Sequence, residues 1–192
     1  MITPAENAAQ SVEIRIGLGT CGVASGGERV ARAVEETLRR MRAEARVKAV
    51  GCSGLCHQEP LIEIVHGDGR RRLYGKVKPR AVGRILRGHL APTGPMGRTA
   101  AAIRSAAGRL FSDASWEPVE RYTVERSQGP TGAYLARQKK IVLENCGEID
   151  PGDIDDYLAR GGYSALRDVL QGRKPEQVIT AVSESGLRGR GG

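Results

Sequence analysis

The sequence predicts a small α/β domain at the start of the chain, then a linker, then a mostly helical segment. Three observations carry this. Between residues 11 and 90, apolar residues alternate with period two in short runs and recur with helical spacing in two longer ones. Residues 91–115 lose both periods and are rich in Ala, Gly, Pro, Ser and Arg. From Trp116 the helical spacing returns, punctuated by Gly-Gly and by Pro.

The elements follow in order. Residues 13–18 alternate Ile14, Ile16 and Leu18 with polar neighbours and read as a strand. A Gly-rich turn over 17–27 holds Cys21. Residues 28–43 place Val30, Ala33, Val34, Thr37, Leu38 and Met41 on one face of an amphipathic helix. Residues 47–50 form a second strand that ends in the tight loop Gly51-Cys-Ser-Gly-Leu-Cys56. Residues 61–65 make a third strand, His66-Gly-Asp-Gly69 a turn, and 72–74 a fourth strand pairing back. Residues 79–90 form a second helix, with Pro79 in its first turn. The order β-α-β-β-α gives a small sheet with two helices, a thioredoxin-like arrangement. After the linker, helices are expected over 134–145, 154–160, 163–171 and 176–183.

Composition bounds the function. The 192 residues carry a formal charge of +8, but the Arg residues are spread along the chain and interleaved with Glu and Asp. No basic run comes with aromatics to stack on bases, so nucleic acid is not an expected partner. No apolar run approaches the roughly 20 residues that cross a bilayer, which argues against direct membrane insertion. Residues 1–10 lack the basic start and apolar stretch of a signal peptide, and the expected location is cytoplasmic. Four Cys in such a chain point to metal or redox use rather than a disulfide scaffold.

Three of those thiols converge on paper. Cys52 and Cys56 share the loop after the second strand, and Cys21 lies on the loop after the first. If those strands are parallel, both loops sit at one end of the sheet. Thiolates on loops are the usual ligands of iron–sulfur clusters, and buried Cys acting as a small apolar residue is the bland alternative. Cys146, far away in sequence, reads as a structural thiol; His66 and His89 read as solvated surface residues. A thiol–disulfide enzyme is disfavoured, because the close pair is separated by three residues rather than two.

Residues 11–90 resemble the thioredoxin-like [2Fe-2S] ferredoxin domain of complex I-like enzymes. In that family two Cys separated by four residues are followed by two separated by three. Cys52-Ser-Gly-Leu-Cys56, with His57-Gln-Glu-Pro60 after it, matches the second pair, and Cys21 with Gly26 matches the second Cys of the first. The remaining Cys is expected near position 16, where Ile16 stands. The resemblance implies Cys21, Cys52 and Cys56 as metal ligands, with Thr20, Ser25 or His57 as stand-ins for the fourth. Three readings stay open: a cluster with an unusual fourth ligand, a relic domain without a cluster, and a site for another metal.

Residues 137–192 resemble the start of the NADH-oxidising flavoprotein subunit of complex I and of its relatives, the soluble NAD-linked hydrogenases and formate dehydrogenases. The matching residues are Gln138-Lys-Lys-Ile-Val-Leu-Glu-Asn-Cys-Gly147, Ile149-Asp-Pro151, Tyr157-Leu-Ala-Arg-Gly-Gly-Tyr163, Pro175-Glu176, Val178-Ile179 and Ser185-Gly-Leu-Arg-Gly-Arg-Gly-Gly192. The resemblance implies that Gly189, Arg190, Gly191 and Gly192 begin a loop that binds FMN and NAD. It implies a domain organisation of 11–90 ferredoxin-type domain, 91–115 linker and 116–192 truncated flavoprotein domain. It also implies a [4Fe-4S] cluster in a part of the parent protein beyond Gly192. Implied partners are the other subunits of such an assembly, notably a small [2Fe-2S] subunit. The expected function is NADH to FMN to iron–sulfur electron transfer for the parent protein, with this fragment alone inactive. The alternative is a docking module, or truncated remnant, with no cofactor of its own.

Overall fold

The computed structural model describes residues 12–90, 119–126 and 129–189. They fall into two compact units, residues 1–150 and 151–192.

The first unit is built on a five-stranded sheet. β1 (Val12–Gly17) runs through the turn helix α1 (Thr20–Ala24) into α2 (Gly27–Met41), then β2 (Arg46–Val50). β3 (Ile62–His66), β4 (Arg71–Tyr74) and α3 (Pro79–Arg87) follow. A 3₁₀ turn, Val119–Tyr122, leads into β5 (Thr123–Val124) and then α4 (Gly129–Ala136). The strand order is β2-β1-β3-β4-β5. β1 and β2 are parallel; every other pairing is antiparallel. This is the β-α-β-β-α arrangement the sequence predicts, so the fold class of the N-terminal part is a thioredoxin-like mixed α/β sheet with added helices. Its fifth strand comes from beyond residue 90, and Tyr122 joins the core.

Alternation along the strands separates two faces. On one, Ile14, Ile16, Ile62, Ile64 and Tyr74 pack beneath Val30 and Val34 of α2 and Val82, Ile85 and Leu86 of α3. α2 carries Glu28 in its first turn and Arg39 and Arg40 in its last, each complementing the helix dipole. Pro79 opens α3, where its missing N–H costs nothing.

The other face is charged. Arg15 and Glu63 are only 7% and 5% exposed, so both need partners. Arg15 donates to Glu13 (2.6 Å) and Glu148 (2.6 Å), and Glu63 accepts from Arg71 (2.7 Å) and Arg126 (2.9 Å). Lys48 Nζ on β2 lies 3.0 Å from Glu13. Beside this network a small apolar cluster forms from Leu55, Leu61 and Leu73, with Val124 and Leu135 packed against it.

The helix expected over 134–145 is corrected. α4 stops at Ala136, and turns carry the chain on to Asp150. Of the apolar residues that carried that expectation, Leu135 packs on the small apolar cluster, but Ile141 and Val142 are exposed. Lys140, Gly147 and Glu148 reach back to the sheet and its loops, and those tertiary contacts outweigh local periodicity.

The second unit holds α5 (Ile154–Ala159), α6 (Ser164–Gly172) and α7 (Pro175–Glu184), close to the expected spans. Asp153 caps α5 by accepting the Asp155 N–H (3.0 Å). Tyr157 and Tyr163 meet edge to face, and a Cβ at Gly162 would fall 2.3 Å from the Tyr157 ring. Leu166, Leu170, Ile179 and Val182 are exposed. Among the described residues no helix is long and apolar enough to cross a membrane.

Candidate metal centre

The two thiol loops leave the same end of β1 and β2, because those strands are parallel. Leu18 N–H donates to Val50 O (3.0 Å) and Gly17 N–H to Leu61 O (3.2 Å), which closes the sheet just before the loops diverge. The loops then touch. A Cβ at Gly19 would lie 3.2 Å from Cys52 N, a tight contact that glycine avoids.

Cys21 falls within α1 rather than on an open loop, a correction to the expected turn, and it is exposed. The turn winds into a helix because Val23 N–H finds Gly19 O (2.9 Å) and Ser25 N–H finds Cys21 O (3.0 Å). Cys52 and Cys56 are also exposed, and their Sγ atoms are 3.5 Å apart. Gly54, at φ +89°, turns the loop back on itself and donates its N–H to Cys52 Sγ (3.3 Å). That N–H lowers the Cys52 pKa, but burial and the adjoining Cys56 thiol outweigh it and push the thiol up.

The loop is held from within. Leu55 inserts into the small apolar cluster. Glu59 turns inward behind the 3₁₀ turn Cys56–Gln58, accepts the Leu61 N–H (2.8 Å) and fills the space left by Gly17 and Gly22. Burial raises its pKa against the opposing pull of that N–H. From the other side, Lys140 Nζ donates to Ser53 O (3.2 Å), and Gly147, at φ +82°, packs on Ser53. Ser53 Oγ is buried with no hydrogen-bond partner among the described residues.

The structure therefore brings Cys52 and Cys56 together and places the Cys21 helix on the adjoining loop. Among the described residues no three His, Cys, Asp or Glu side chains are gathered tightly enough to hold one metal ion. Ile16, where a fourth thiol was expected, is 1% exposed and buried in the main core. Thr20, Ser25 and His57 are exposed. Two thiols, Cys52 and Cys56, are thus side by side, two of the four protein ligands a two-iron, two-sulfide cluster ordinarily takes, and the unmet Ser53 hydroxyl lies on the loop between them. Cys146 is half-buried, one residue before the Gly147 contact. Gly189 is exposed, and a Cβ added there would enter open space; Arg190, Gly191 and Gly192 lie outside the described residues.

Two expectations about histidine are corrected. His66 and His89 are half-buried, not solvated. His66 Nε2 and His89 Nδ1 are 2.9 Å apart, and His89 Nε2 is 2.6 Å from the Tyr74 hydroxyl. Burial, then His66, Arg72 and Arg70, holds the His89 pKa below its ordinary value. The ion network around Glu63 leaves one signal in the sequence, the alternation of Glu13 and Arg15 with Ile14 and Ile16.

No family model matches the chain. It is 52% identical over 56 residues to the NADP-reducing hydrogenase subunit HndC of Solidesulfovibrio fructosivorans, over 29% of this chain and 11% of that protein. It is 42% identical over 52 residues to an NADH-quinone oxidoreductase subunit of Rhizobium meliloti (strain 1021), over 27% of this chain and 12% of that protein. The chain thus spans only 11% and 12% of the lengths of these two curated relatives. Among solved structures, the thioredoxin-like [2Fe-2S] ferredoxin from Aquifex aeolicus has a TM-score of 0.40 and 19% identity, covering 61% of this chain and 99% of that chain.

Proposed function

We propose that this chain is part of an NADH-oxidising electron-transfer module in a hydrogenase or complex I-like assembly. The observation that carries the proposal is the 52% identity over 56 residues to a hydrogenase subunit, supported by the like match to an NADH-quinone oxidoreductase subunit. FMN would take hydride from NAD(P)H and release single electrons, with Gly189, Arg190, Gly191 and Gly192 contributing backbone N–H and guanidinium contacts to the phosphates. Cys21, Cys52 and Cys56 would hold a [2Fe-2S] cluster, whose fourth place falls to a ligand other than Cys. Gly54 N–H and the buried Ser53 hydroxyl would then steady the sulfur-rich end of the domain. Partner subunits would accept the electrons, a small [2Fe-2S] protein among them.

The test is anaerobic reconstitution with iron and sulfide, read by visible spectrum and iron content. Two irons per chain, lost together when Cys52 or Cys56 is replaced by Ser, support the cluster. A colourless, iron-free chain sinks it. That outcome favours a docking role without a cofactor, for which the exposed Leu166, Leu170, Ile179 and Val182 speak.

A further inference from the structure

We infer that Cys52 and Cys56 form a reversible dithiol–disulfide couple when the chain holds no metal. This goes beyond the proposed function, though it uses two of the same sulfurs. It also asks less of the site: a cluster needs four donors, whereas a disulfide needs two, and two are what the structure sets side by side.

The geometry is preorganised. The two Sγ atoms are 3.5 Å apart, so bond formation requires an approach of about 1.5 Å. Both residues are exposed, so an oxidant reaches them. The loop behind them is pinned by Leu55 in its apolar cluster, by Lys140 on the Ser53 carbonyl and by Gly147 on the Ser53 side chain. The Gly54 turn folds the chain between the two residues back on itself. Little chain entropy is lost when the bond closes, which favours the internal disulfide over two separate adducts.

The oxidant is a low-molecular-weight disulfide of the glutathione type. One protein thiolate attacks it, forms a mixed disulfide and expels a small thiolate. The second protein thiolate attacks the protein sulfur of that mixed disulfide, forms the Cys52–Cys56 bond and expels the second small thiolate. The protein pair gives up two electrons, the small disulfide gains them, and the two protons leave with the small thiols. Closing the bond removes two of the three candidate metal donors, so oxidation and metal loading exclude each other. The oxidation state of the loop then decides whether iron can be loaded.

The test uses the iron-free full chain, kept anaerobic and titrated with mixtures of reduced and oxidised glutathione. Acid quench, alkylation and peptide mass mapping then locate the thiols. Free thiols are expected to fall from four to two, with Cys52 joined to Cys56. Cys21→Ser and Cys146→Ser should each still lose two. Cys52→Ser and Cys56→Ser should carry only a glutathione adduct on the remaining thiol. A wild-type chain that stays fully reduced, or that takes glutathione separately on Cys52 and Cys56, overturns the couple. Iron uptake measured on the same samples separates the two readings. Iron uptake without an internal bond overturns the couple and leaves the cluster standing. An internal bond with no iron uptake after re-reduction supports the couple and overturns the cluster.

Discussion

Arg71 Nη2 donates a hydrogen bond of 2.6 Å to Glu148 Oε1, across 77 residues of sequence. Glu148 holds Arg15 with its other oxygen (2.6 Å), so one carboxylate ties the turn segment before residue 150 to β1 and β4 together. The segment that touches Ser53 is the same one, through Lys140 and Gly147. The ion network on the sheet thus anchors the cover of the thiol loop.

Loss of Glu148 should loosen that cover and make the chain sensitive to acid. Burial alone would raise its pKa, but the hydrogen bonds and charges of Arg71 and Arg15 win and hold it below the ordinary carboxylate value. The unfolded chain therefore binds a proton at higher pH than the folded chain does. The stability this gives is present above the ordinary carboxylate range and is lost as pH falls through the folded value. Glu148→Gln should cost about 1–2 kcal/mol at neutral pH and flatten the acid limb of stability. Urea unfolding at neutral pH and at mildly acid pH checks both. A variant with an unchanged acid limb would remove Glu148 from the account.

Glu63 should matter more, because it is the more deeply buried carboxylate. Arg15, Arg71 and Arg126 all reach it. Glu63→Ala leaves Arg15 buried beside one fewer anion, and about 3 kcal/mol of destabilisation is expected. Equilibrium unfolding measures it; a cost under about 1 kcal/mol would class the network with surface ion pairs.

How far the sequence spoke depended on whether the signal was local. Strand alternation in 13–18 and 61–65, and the apolar stripes of α2 and α3, are set by neighbours within a few residues, and the structure keeps them. The convergence of Cys21 and Cys52 on one sheet end followed from a parallel pairing, which the topology bears out. What stayed illegible depends on distant partners. Nothing near Glu148 in sequence names Arg15 or Arg71. Lys140 abandons a helical pattern for the Ser53 carbonyl, and β5 is two residues long. His66 and His89 looked like surface residues because they lie 23 residues apart and meet only when β3 and the end of α3 pack.

The Tyr74–His89–His66 chain should add a second pH dependence near neutrality. Burial depresses the His89 pKa, so the unfolded chain takes up the proton first as pH falls. Stability from this group is complete above the ordinary histidine value of about 6.5 and is lost as pH drops below it toward the folded value. Tyr74→Phe removes the hydroxyl contact to Nε2 and should cost about 1 kcal/mol at pH 8. A proton NMR titration of His89 reads its pKa directly, and a value at or above 6.5 would overturn the burial argument.

Ile16→Cys asks whether the missing ligand can be restored by one substitution. Ile16 is the residue that pairs with Ile62 on β3 and Ala49 on β2, and it faces α2 and α3 in the main core. A thiol placed there enters an apolar interior, away from the exposed Cys52 and Cys56 sulfurs. The expected result is a chain destabilised by about 2 kcal/mol through lost packing, with no gain in reactive thiols and no gain in iron after reconstitution. Thiol counting with an alkylating reagent under native conditions, together with iron analysis, decides it. If the substituted chain instead takes up more iron, β1 must release its last two residues toward the thiol loops when metal binds, and the fourth position would be a matter of strand end conformation rather than of residue type.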